Sequence, residues 1–431
     1  MDAFFRIHDA QTMSQIPLHV NSDRLQADFD QLALIGRTAD GGINRLALSS
    51  ADLQARAWLA DLIEKAGFAL KDDDAGNLSG VLYSPNPHAK TLVIGSHLDS
   101  VPNGGRFDGS VGICAALECM RVIAEKRIAL PFHLELVNFT DDEGCWQALF
   151  GSRAFVGALT ADDMSDLKQD NGPFRASLTR AGMNPRDVFK AKRDVSTLVG
   201  YLELHIEHGT RLERAEIPVG VVTGIVGRST HRFTFDGRAG NSGTTDMYKR
   251  RDALLGAAHF IVRSHELIRA RYGDGIFNCG DVEVKPGAFN IIPERARLLV
   301  EFRHANEMMM NEMQVAVTSI ARECAVSYDL DLTTEVFSHL PAAHMSAGFM
   351  SAIETSAETL GLQTMPLVSY AGHAAQFLGR FMPSGMIFIP SVNGVGHHPR
   401  EFTEWEDVVH GANVLLNTVL KLAHEAENGE R

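Results

Sequence analysis

Apolar and polar positions follow two different periods along the first third of the chain. From Ser49 the segment SSADLQARAWLADLIEKAGF has a serine at its start, apolar residues at helical spacing and a glycine at its end, and it predicts a helix. The segments NLSGVLYS, TLVIGSHLDS and PFHLELVNFT predict strands, and VGICAALECMRVIAEK, before the last of them, predicts a second helix. Strands that alternate with helices predict an α/β domain with a largely parallel, buried sheet.

A different order of elements is predicted from about Val222 to Phe337. It begins with strand HRFTFDG and a long helix near DMYKRRDALLGAAHFIVRSHELIRARYG, and continues with strands CGDVEVKP and ARLLVEFRH. Helix NEMMMNEMQVAVTSIAREC and strand DLDLTTEVF complete the series. This is the βαββαβ order of the ferredoxin-like split unit, so we expect a second domain inserted into the first.

The length of the chain supports this division. At 431 residues it exceeds the size at which a single hydrophobic core stops growing. We therefore predict a catalytic domain over residues 1–221 and 338–431 and an inserted domain over residues 222–337. The flanking segments EIPVGVVTG and SHLPAAHMS contain proline and glycine and predict the two hinge strands.

Composition and charge exclude several classes of protein. The chain is 45% hydrophobic and 22% charged, without an apolar run long enough to cross a bilayer. The first twenty residues lack the apolar core and cleavage site of a secretory signal, which predicts a cytoplasmic protein. The formal net charge of −14 argues against a nucleic-acid partner. The five scattered cysteines contain no CxxC pair and predict reduced structural thiols.

The strongest local candidate for chemistry is GSHLDSVPNGGRFDGSVG, which follows a predicted strand. It combines His97, Asp99 and, in a glycine-rich loop, Asp108. Imidazole and carboxylate together suit zinc, manganese or cobalt. Because Asp99 would lie on the same strand face as His97, its carboxylate is expected to fix the His97 tautomer. Taken alone, an HxD pair is as readily an ordinary strand-end turn.

Three further clusters contain potential ligands. The turn TDDEG follows another predicted strand, and its crowded carboxylates indicate a bound cation or a raised pKa, or else an exposed acidic turn. The segment LELHIEHGTRLE contains His205, Glu207 and His208, and SVNGVGHHPREF contains His397 and His398. Either histidine pair could be ordinary surface. Together the four clusters supply the three histidines and two carboxylates that a bridged two-metal hydrolase requires.

The order of motifs along the chain resembles a known family. GSHLDSVPNGGRFDG, FTDDEG, ELHIEHG, GTTDMYKRRDAL, NIIPERARLLVEFR, AGHAAQ and GVGHHP closely resemble the hydantoinase/carbamoylase family of zinc amidohydrolases, which includes N-carbamoyl-L-amino-acid hydrolases, ureidopropionases and allantoate amidohydrolases. The motifs span nearly the whole chain in the family's order. The resemblance implies an α/β catalytic domain with an inserted ferredoxin-like lid, a homodimer formed through that lid, and a small-molecule substrate.

The resemblance also implies the roles of individual residues. Five residues fall on ligand positions for two divalent ions, zinc first, with manganese or cobalt as alternatives: His97, Asp108, Glu143, His205 and His397. Asp108 would bridge, with His97 and His205 on one ion and Glu143 and His397 on the other. Asp142 falls on the general-base position. Asn290 and Arg303 fall on lid positions that bind a substrate carboxylate or its equivalent, a group that a guanidinium fork matches.

Four positions depart from the family pattern around the substrate. The usual glutamate base is Asp142, which is shorter by one methylene, roughly 1.5 Å. A displacement of about 1 Å can cost about a hundredfold in rate. Asn241 replaces a carbonyl-polarising histidine of the lid, His208 replaces a substrate-contacting glutamine, and substrate-binding His373 is followed by Ala374 instead of aspartate. Asparagine can donate a hydrogen bond but carries no charge.

These departures leave alternative functions open. The favoured hypothesis is an active hydrolase retuned for a different linear amide or ureido substrate, in which His208 replaces the donor lost at Asn241. The metals would lower the pKa of a bound water, Asp142 would take its proton, and Asn241 would polarise the carbonyl. The first alternative is a metal-binding partner subunit with little activity, and the second is a peptidase of the wider superfamily.

Overall fold

A computed structural model describes residues 17–165 and 170–429 of the chain. Most of the N-terminal segment on which the targeting prediction rests, residues 1–16, lies outside the described residues. Within the described ranges, no helix is both long enough and apolar enough to cross a membrane.

The described residues form β-strands throughout the chain. In chain order they are β1 Ala69–Asp72, β2 Leu78–Leu82, β3 Thr91–His97, β4 His133–Phe139, β5 Leu198–Ile206, β6 Val219–Ile225, β7 Gly227–Asp236, β8 Ile276–Lys285, β9 Arg295–His304, β10 Asp331–Leu340, β11 Ala343–His344, β12 Thr364–Ser369 and β13 Ser384–Ile389. The α-helices are α1 Ser22–Leu32, α2 Ser50–Lys65, α3 Ser110–Glu125, α4 Phe150–Phe155, α5 Ala161–Met164, α6 Gly172–Arg180, α7 Arg211–Ala215, α8 Ala253–Arg271, α9 Glu307–Ser327, α10 Ala347–Thr359, α11 Ala374–Leu378 and α12 Trp405–Asn428.

The chain divides into two compact units. The first contains the described residues up to Thr223 and from His344 onward, and the second contains Gly224–Ala343. These boundaries lie a few residues beyond the predicted ones. Each unit has its own sheet and its own buried apolar core.

The sheet of the first unit has the strand order β1-β2-β4-β3-β5-β13-β6-β11, and β12 pairs with β6. Its central strands β4, β3, β5 and β13 are parallel, whereas the pairs β1–β2, β2–β4 and β13–β6 are antiparallel. All seven residues of β3 are buried, as expected for a central strand with both faces covered. The predicted α/β class with a largely parallel sheet is therefore confirmed.

The local signals in the sequence correctly place two helices of this unit, α2 and α3. The side chain of Ser49 accepts a hydrogen bond from the amide of Asp52, which caps the start of α2. Helix α3 is apolar on almost every side because it packs between β3, α1 and α12. Its first turn follows Asp108 directly, so the buried helix anchors that loop.

The sheet of the second unit has the order β10-β7-β9-β8, with every pair antiparallel. Together with α8 and α9 it gives the βαββαβ order that the sequence predicts. Helix α8 starts at Ala253, later than the Asp246 start suggested by the sequence. The reason is local: the side chain of Asp252 caps the amide of Leu255, and Met247–Lys249 form a separate 3₁₀ turn.

A buried arginine, Arg45, connects the end of α1 to the residues that follow β3 and to the start of α3. Arg45 is only 1% exposed. Its Nε donates to the carbonyl of Leu98 at 2.6 Å and its Nη1 to the carbonyls of Leu32 and Ile35. Its Nη2 donates to the hydroxyl of Ser110 at 2.8 Å. Burial lowers the pKa of Arg45 to about 10, so the guanidinium stays charged at neutral pH.

We expect Arg45→Met to lower the free energy of unfolding by about 3 kcal/mol or more, because three buried carbonyls and the hydroxyl of Ser110 each lose a hydrogen bond to the guanidinium. Urea denaturation of the variant at pH 7 measures this change. The matched control is Arg37→Met, at an exposed arginine of the same segment, which should unfold at the wild-type urea concentration. An Arg45→Met midpoint equal to that of the wild type would contradict the role given to these hydrogen bonds.

Candidate metal centre

The carboxyl ends of three parallel strands bring the candidate residues to one edge of the first unit's sheet. His97 is the last residue of β3, and the acidic turn Thr140–Gly144 follows β4. His205 is the next-to-last residue of β5. β3 pairs in parallel with both β4 and β5, so these strand ends point the same way, where α/β proteins bind ligands.

Four imidazoles surround the carboxylate of Asp108. On its Oδ1 side, the Nε2 atoms of His205 and His97 lie at 3.0 and 3.6 Å. On its Oδ2 side, the Nε2 atoms of His397 and His208 lie at 3.2 and 3.4 Å. One carboxylate thus faces a histidine pair on each side, the arrangement expected of a bridging ligand.

Glu143 stands beside the second histidine pair. Its Oε2 lies 3.4 Å from Nε2 of His397. Residues as far apart in sequence as Glu143 and His397 therefore meet at Asp108. The five residues predicted as metal ligands thus form one cluster, in which three histidines face the carboxylate of Asp108 and Glu143 adjoins His397.

Backbone hydrogen bonds set the orientation of the two innermost imidazoles. Nδ1 of His97 lies 2.9 Å from the carbonyl of Asp99, and Nδ1 of His205 lies 3.0 Å from the carbonyl of Ile206. Carbonyls only accept, so each Nδ1 carries the proton. Nε2, on the opposite side of each ring, then faces Asp108, which is the tautomer a metal ligand needs.

The structure gives Asp99 a different role from the predicted one. Its backbone carbonyl fixes His97, whereas its Oδ1 lies 3.7 Å from the same ring nitrogen. The carboxylate instead accepts from the amides of Asp142 and Glu143, at 3.3 and 3.1 Å. Both amides belong to the turn Thr140–Gly144 after β4, which lies beside the end of β3 because the two strands are paired in parallel. Asp99 therefore ties the two acidic motifs together.

The pKa values of the carboxyl groups in the cluster are strongly shifted. Burial, and then the charge of Asp108, hold the pKa of Glu143 well above its usual value. Burial likewise raises the pKa of Asp142, which is 7% exposed, against the opposing effect of His97. Burial also acts to raise the pKa of Asp108, but the imidazoles, His208 first, outweigh it and hold the pKa well below the usual value. Such crowding is what a bound cation would relieve.

Buried polar atoms without hydrogen-bond partners indicate that the donors fit a cation. Among the described residues, they include Oδ2 of Asp108, Oδ1 of Asp142, Oε1 of Glu143 and Nε2 of His208. Buried polar atoms are otherwise almost always paired. Imidazole nitrogens and carboxylate oxygens form the donor set that zinc and similar divalent ions take. The donor atoms of His97, Asp108 and His205 lie within 4.8 Å of one another, as do those of Asp108, His208 and His397.

Three predicted substrate residues belong to the second unit. The Oδ1 of Asn241 accepts from the amides of Gly243 and Thr244, at 2.8 and 3.1 Å, so Nδ2 is the donor group of this side chain. A β-bridge to Ile291 places Asn241 beside Asn290, whose carbonyl accepts from Ser242. Arg303 lies on β9, and its Nε donates to Glu301 at 2.6 Å. Their roles toward substrate stay predictions.

His373 lies beneath the cluster. It is 2% exposed, its ring packs edge-on against His205 at 4.5 Å between centroids, and its Nε2 bonds the hydroxyl of Ser369. Burial holds its pKa well below the usual value. These contacts are those of a residue that packs behind His205, and the predicted contact with substrate stays a prediction. Ala374, which follows it, is fully buried at the start of α11.

Two buried glutamates of the centre were missed from the sequence. Glu203 points to the same strand face as His205 and accepts from the hydroxyl of Ser96 and the amide of Ala375. The spacing of two residues from His205 was the available signal. Glu401 is four residues after His397 and had no such signal.

Glu401 supports the loop that carries Asp108. Its Oε1 accepts from the amides of Phe107 and Asp108, at 2.8 and 3.0 Å. A Cβ at Gly105 would lie about 2 Å from this carboxylate, which explains the glycine there. Burial raises the pKa of Glu401 to about 7. The role of Glu401 depends on a contact between segments far apart in sequence, and no local sequence pattern predicts such a contact.

A mostly parallel α/β sheet with histidines and carboxylates gathered at its strand ends defines a metallohydrolase-like architecture. The chain belongs to peptidase family M20/M25/M40, whose sequence pattern matches residues 93–421. The predicted resemblance to the hydantoinase/carbamoylase group is also confirmed by the individual relatives.

Among these relatives, an N-carbamoyl-L-amino acid amidohydrolase of Geobacillus stearothermophilus is 34% identical over 94% of this chain and 99% of its own length. An allantoate amidohydrolase of Bacillus subtilis is 28% identical over 92% and 96%. A solved amidase of the hydantoinase/carbamoylase family from Burkholderia multivorans has a TM-score of 0.84 and 31% identity, covering 94% of this chain and 98% of its own.

Proposed function

We propose that this protein is a metal-dependent amidohydrolase that cleaves a linear amide or ureido carbon–nitrogen bond in a small molecule. The observation that carries the proposal is the convergence of histidine Nε2 atoms on both oxygens of one buried carboxylate, Asp108. The similarity to amidohydrolases along nearly the whole chain supports it. It does not favour the alternative of a binding subunit without activity.

Five residues are proposed to hold two divalent ions. Asp108 bridges, His97 and His205 bind the first ion, and Glu143 and His397 bind the second. When bound, such ions would lower the pKa of a water and polarise a carbonyl oxygen. Zinc is the first candidate for a nitrogen and oxygen donor set, with manganese or cobalt as alternatives.

Asp142 is proposed as the general base. Its Oδ1 is buried without a hydrogen-bond partner, so it is available to accept a proton from the attacking water. Burial holds the pKa of Asp142 well above that of a free aspartate, which suits a group that takes a proton and then passes it to the leaving nitrogen. The amide of Asp142 is held by Asp99, which fixes the turn that carries it.

The second unit is proposed to act as a lid and dimerisation domain. Asn241 would donate from Nδ2 to the oxygen of the scissile carbonyl. Asn290 and Arg303 would bind the substrate carboxylate, a planar anion that suits a guanidinium. In this proposal the protein is a cytoplasmic homodimer.

The test is hydrolysis of a panel of N-carbamoyl, N-formyl and N-acyl amino acids, allantoate and short dipeptides. The protein is reconstituted separately with zinc, manganese and cobalt. We expect metal-dependent turnover of a carbamoyl, acyl or ureido compound, and we expect His97→Ala to abolish it. His88→Ala, at an exposed histidine outside the cluster, is the control and should retain wild-type turnover.

Two outcomes would overturn the proposal. Cleavage of dipeptides alone would assign the protein to the peptidases of its family. No turnover of any compound by protein that holds two ions would contradict a hydrolase of this substrate class.

A further inference from the structure

His208 has no explanation in the five-ligand arrangement. It lies two residues beyond the end of β5 and three after His205. Its Nε2 is buried, has no hydrogen-bond partner, and lies 3.4 Å from Oδ2 of Asp108, another buried atom without a hydrogen bond. An imidazole nitrogen and a carboxylate oxygen that face each other in this way leave room for a positively charged partner.

His208 lies next to the proposed ligands of the second ion. Its ring meets that of His397 edge-on, with centroids 5.1 Å apart. The potential donor atoms of His208, His397 and Asp108 all lie within 4.8 Å of one another. Glu143 Oε2 lies 3.4 Å from the same Nε2 of His397. Three donors therefore lie close together on the Oδ2 side of Asp108, and Glu143 adjoins them at His397.

The loop before His397 holds the His208 ring in place. A Cβ at Gly396 would lie 2.9 Å from Nδ1 of His208, so the backbone packs closely against the imidazole there. His397 itself has a left-handed backbone with φ of 54°, which costs a non-glycine residue roughly 1–2 kcal/mol. This loop thus places His397 against Asp108, and its backbone also packs on the ring of His208.

We propose that His208 is a ligand of the second metal ion, in addition to Asp108, Glu143 and His397. This inference rests on the proposed two-metal function. It replaces the substrate contact expected for His208 from the sequence. The second ion would have four protein donors, as in a closed site, whereas the first, with His97, His205 and Asp108, would keep an open position. A second imidazole at this ion also favours zinc over manganese.

The test compares metal binding by the wild-type protein, His208→Gln and the control His398→Gln. His398 is an exposed neighbour in the same loop, and its Nδ1 accepts from the amide of Arg400. Protein stripped by a chelator is titrated with Zn²⁺ against a chromophoric chelator, and the visible absorption of the Co²⁺-loaded protein is recorded. We expect His208→Gln to bind the second ion more than about 100-fold more weakly and to change the Co²⁺ spectrum. This loss of affinity exceeds the roughly 10–100-fold loss expected when a residue that only hydrogen-bonds to a metal ligand is replaced. His398→Gln should match the wild type.

His208→Gln with two ions bound at wild-type affinity and an unchanged Co²⁺ spectrum would overturn the inference, even if its KM rose, because that result describes a substrate contact. The proposed function would survive it. Wild-type protein that binds no ion would instead remove the proposed function itself. If circular dichroism shows that His208→Gln does not fold, His208→Asn takes its place in the same titration. A second ion bound more than about 100-fold more weakly supports the inference, and wild-type affinity for both ions overturns it.

Discussion

Asp142→Asn is expected to lower kcat by about 10²–10⁴-fold, the usual contribution of a positioned general base. The amide that replaces the carboxylate cannot accept the proton that Oδ1 of Asp142 is proposed to take. Because Asp142 is not among the proposed ligands, the variant should still hold two ions. Steady-state kinetics on the substrate found in the panel, together with metal analysis of the same sample, measure both quantities.

Asp142→Glu is the matched control for this change, since it keeps the charge and restores the residue that is usual in the family. It should retain far more activity than Asp142→Asn. Near wild-type turnover by Asp142→Asn with both ions present would mean that another group takes the proton. The buried carboxylates Glu203 and Glu401 would then be the next candidates.

Asp108→Asn is expected to remove both ions and, with them, all measurable turnover. Among the described residues, Asp108 is the carboxylate that faces all four imidazoles, and a neutral amide would lose the charge proposed to bridge two cations. Wild-type protein should gain about 2.7 kcal/mol of stability when free Zn²⁺ exceeds its dissociation constant a hundredfold. Thermal unfolding with and without Zn²⁺ should show this gain for the wild type and none for Asp108→Asn.

Asp61→Asn provides the control, because Asp61 is an exposed residue of α2 whose ion pair with Lys65 contributes little. It should show the full Zn²⁺-dependent rise in Tm. Asp108→Asn protein that held two ions, or that gained the wild-type Tm with Zn²⁺, would show that the bridge has been placed on the wrong residue.

The sequence by itself determined most of the local structure and the identity of the clustered residues. The Ser49 cap and helical spacing gave α2, and the alternation of β7 gave a strand with one buried face. Such signals are local, because capping and side-chain periodicity depend on residues a few positions apart. The candidate metal ligands were identified by residue type, histidine and carboxylate, and by motifs that occur in the same order as in the family. Such motifs reflect function as well as folding.

The tertiary structure alone decided which atoms of those residues meet. The carbonyl of Asp99, not its carboxylate, orients His97, because the β4 turn supplies amides that engage the carboxylate. Glu401 and Arg45 position the loops from segments remote in sequence. His208 faces the carboxylate of Asp108, and the Gly396 backbone packs closely against the other side of its ring. The His97–Asp99 contact is local, but each of the other contacts joins segments distant in sequence, so it forms only once the fold has brought them together.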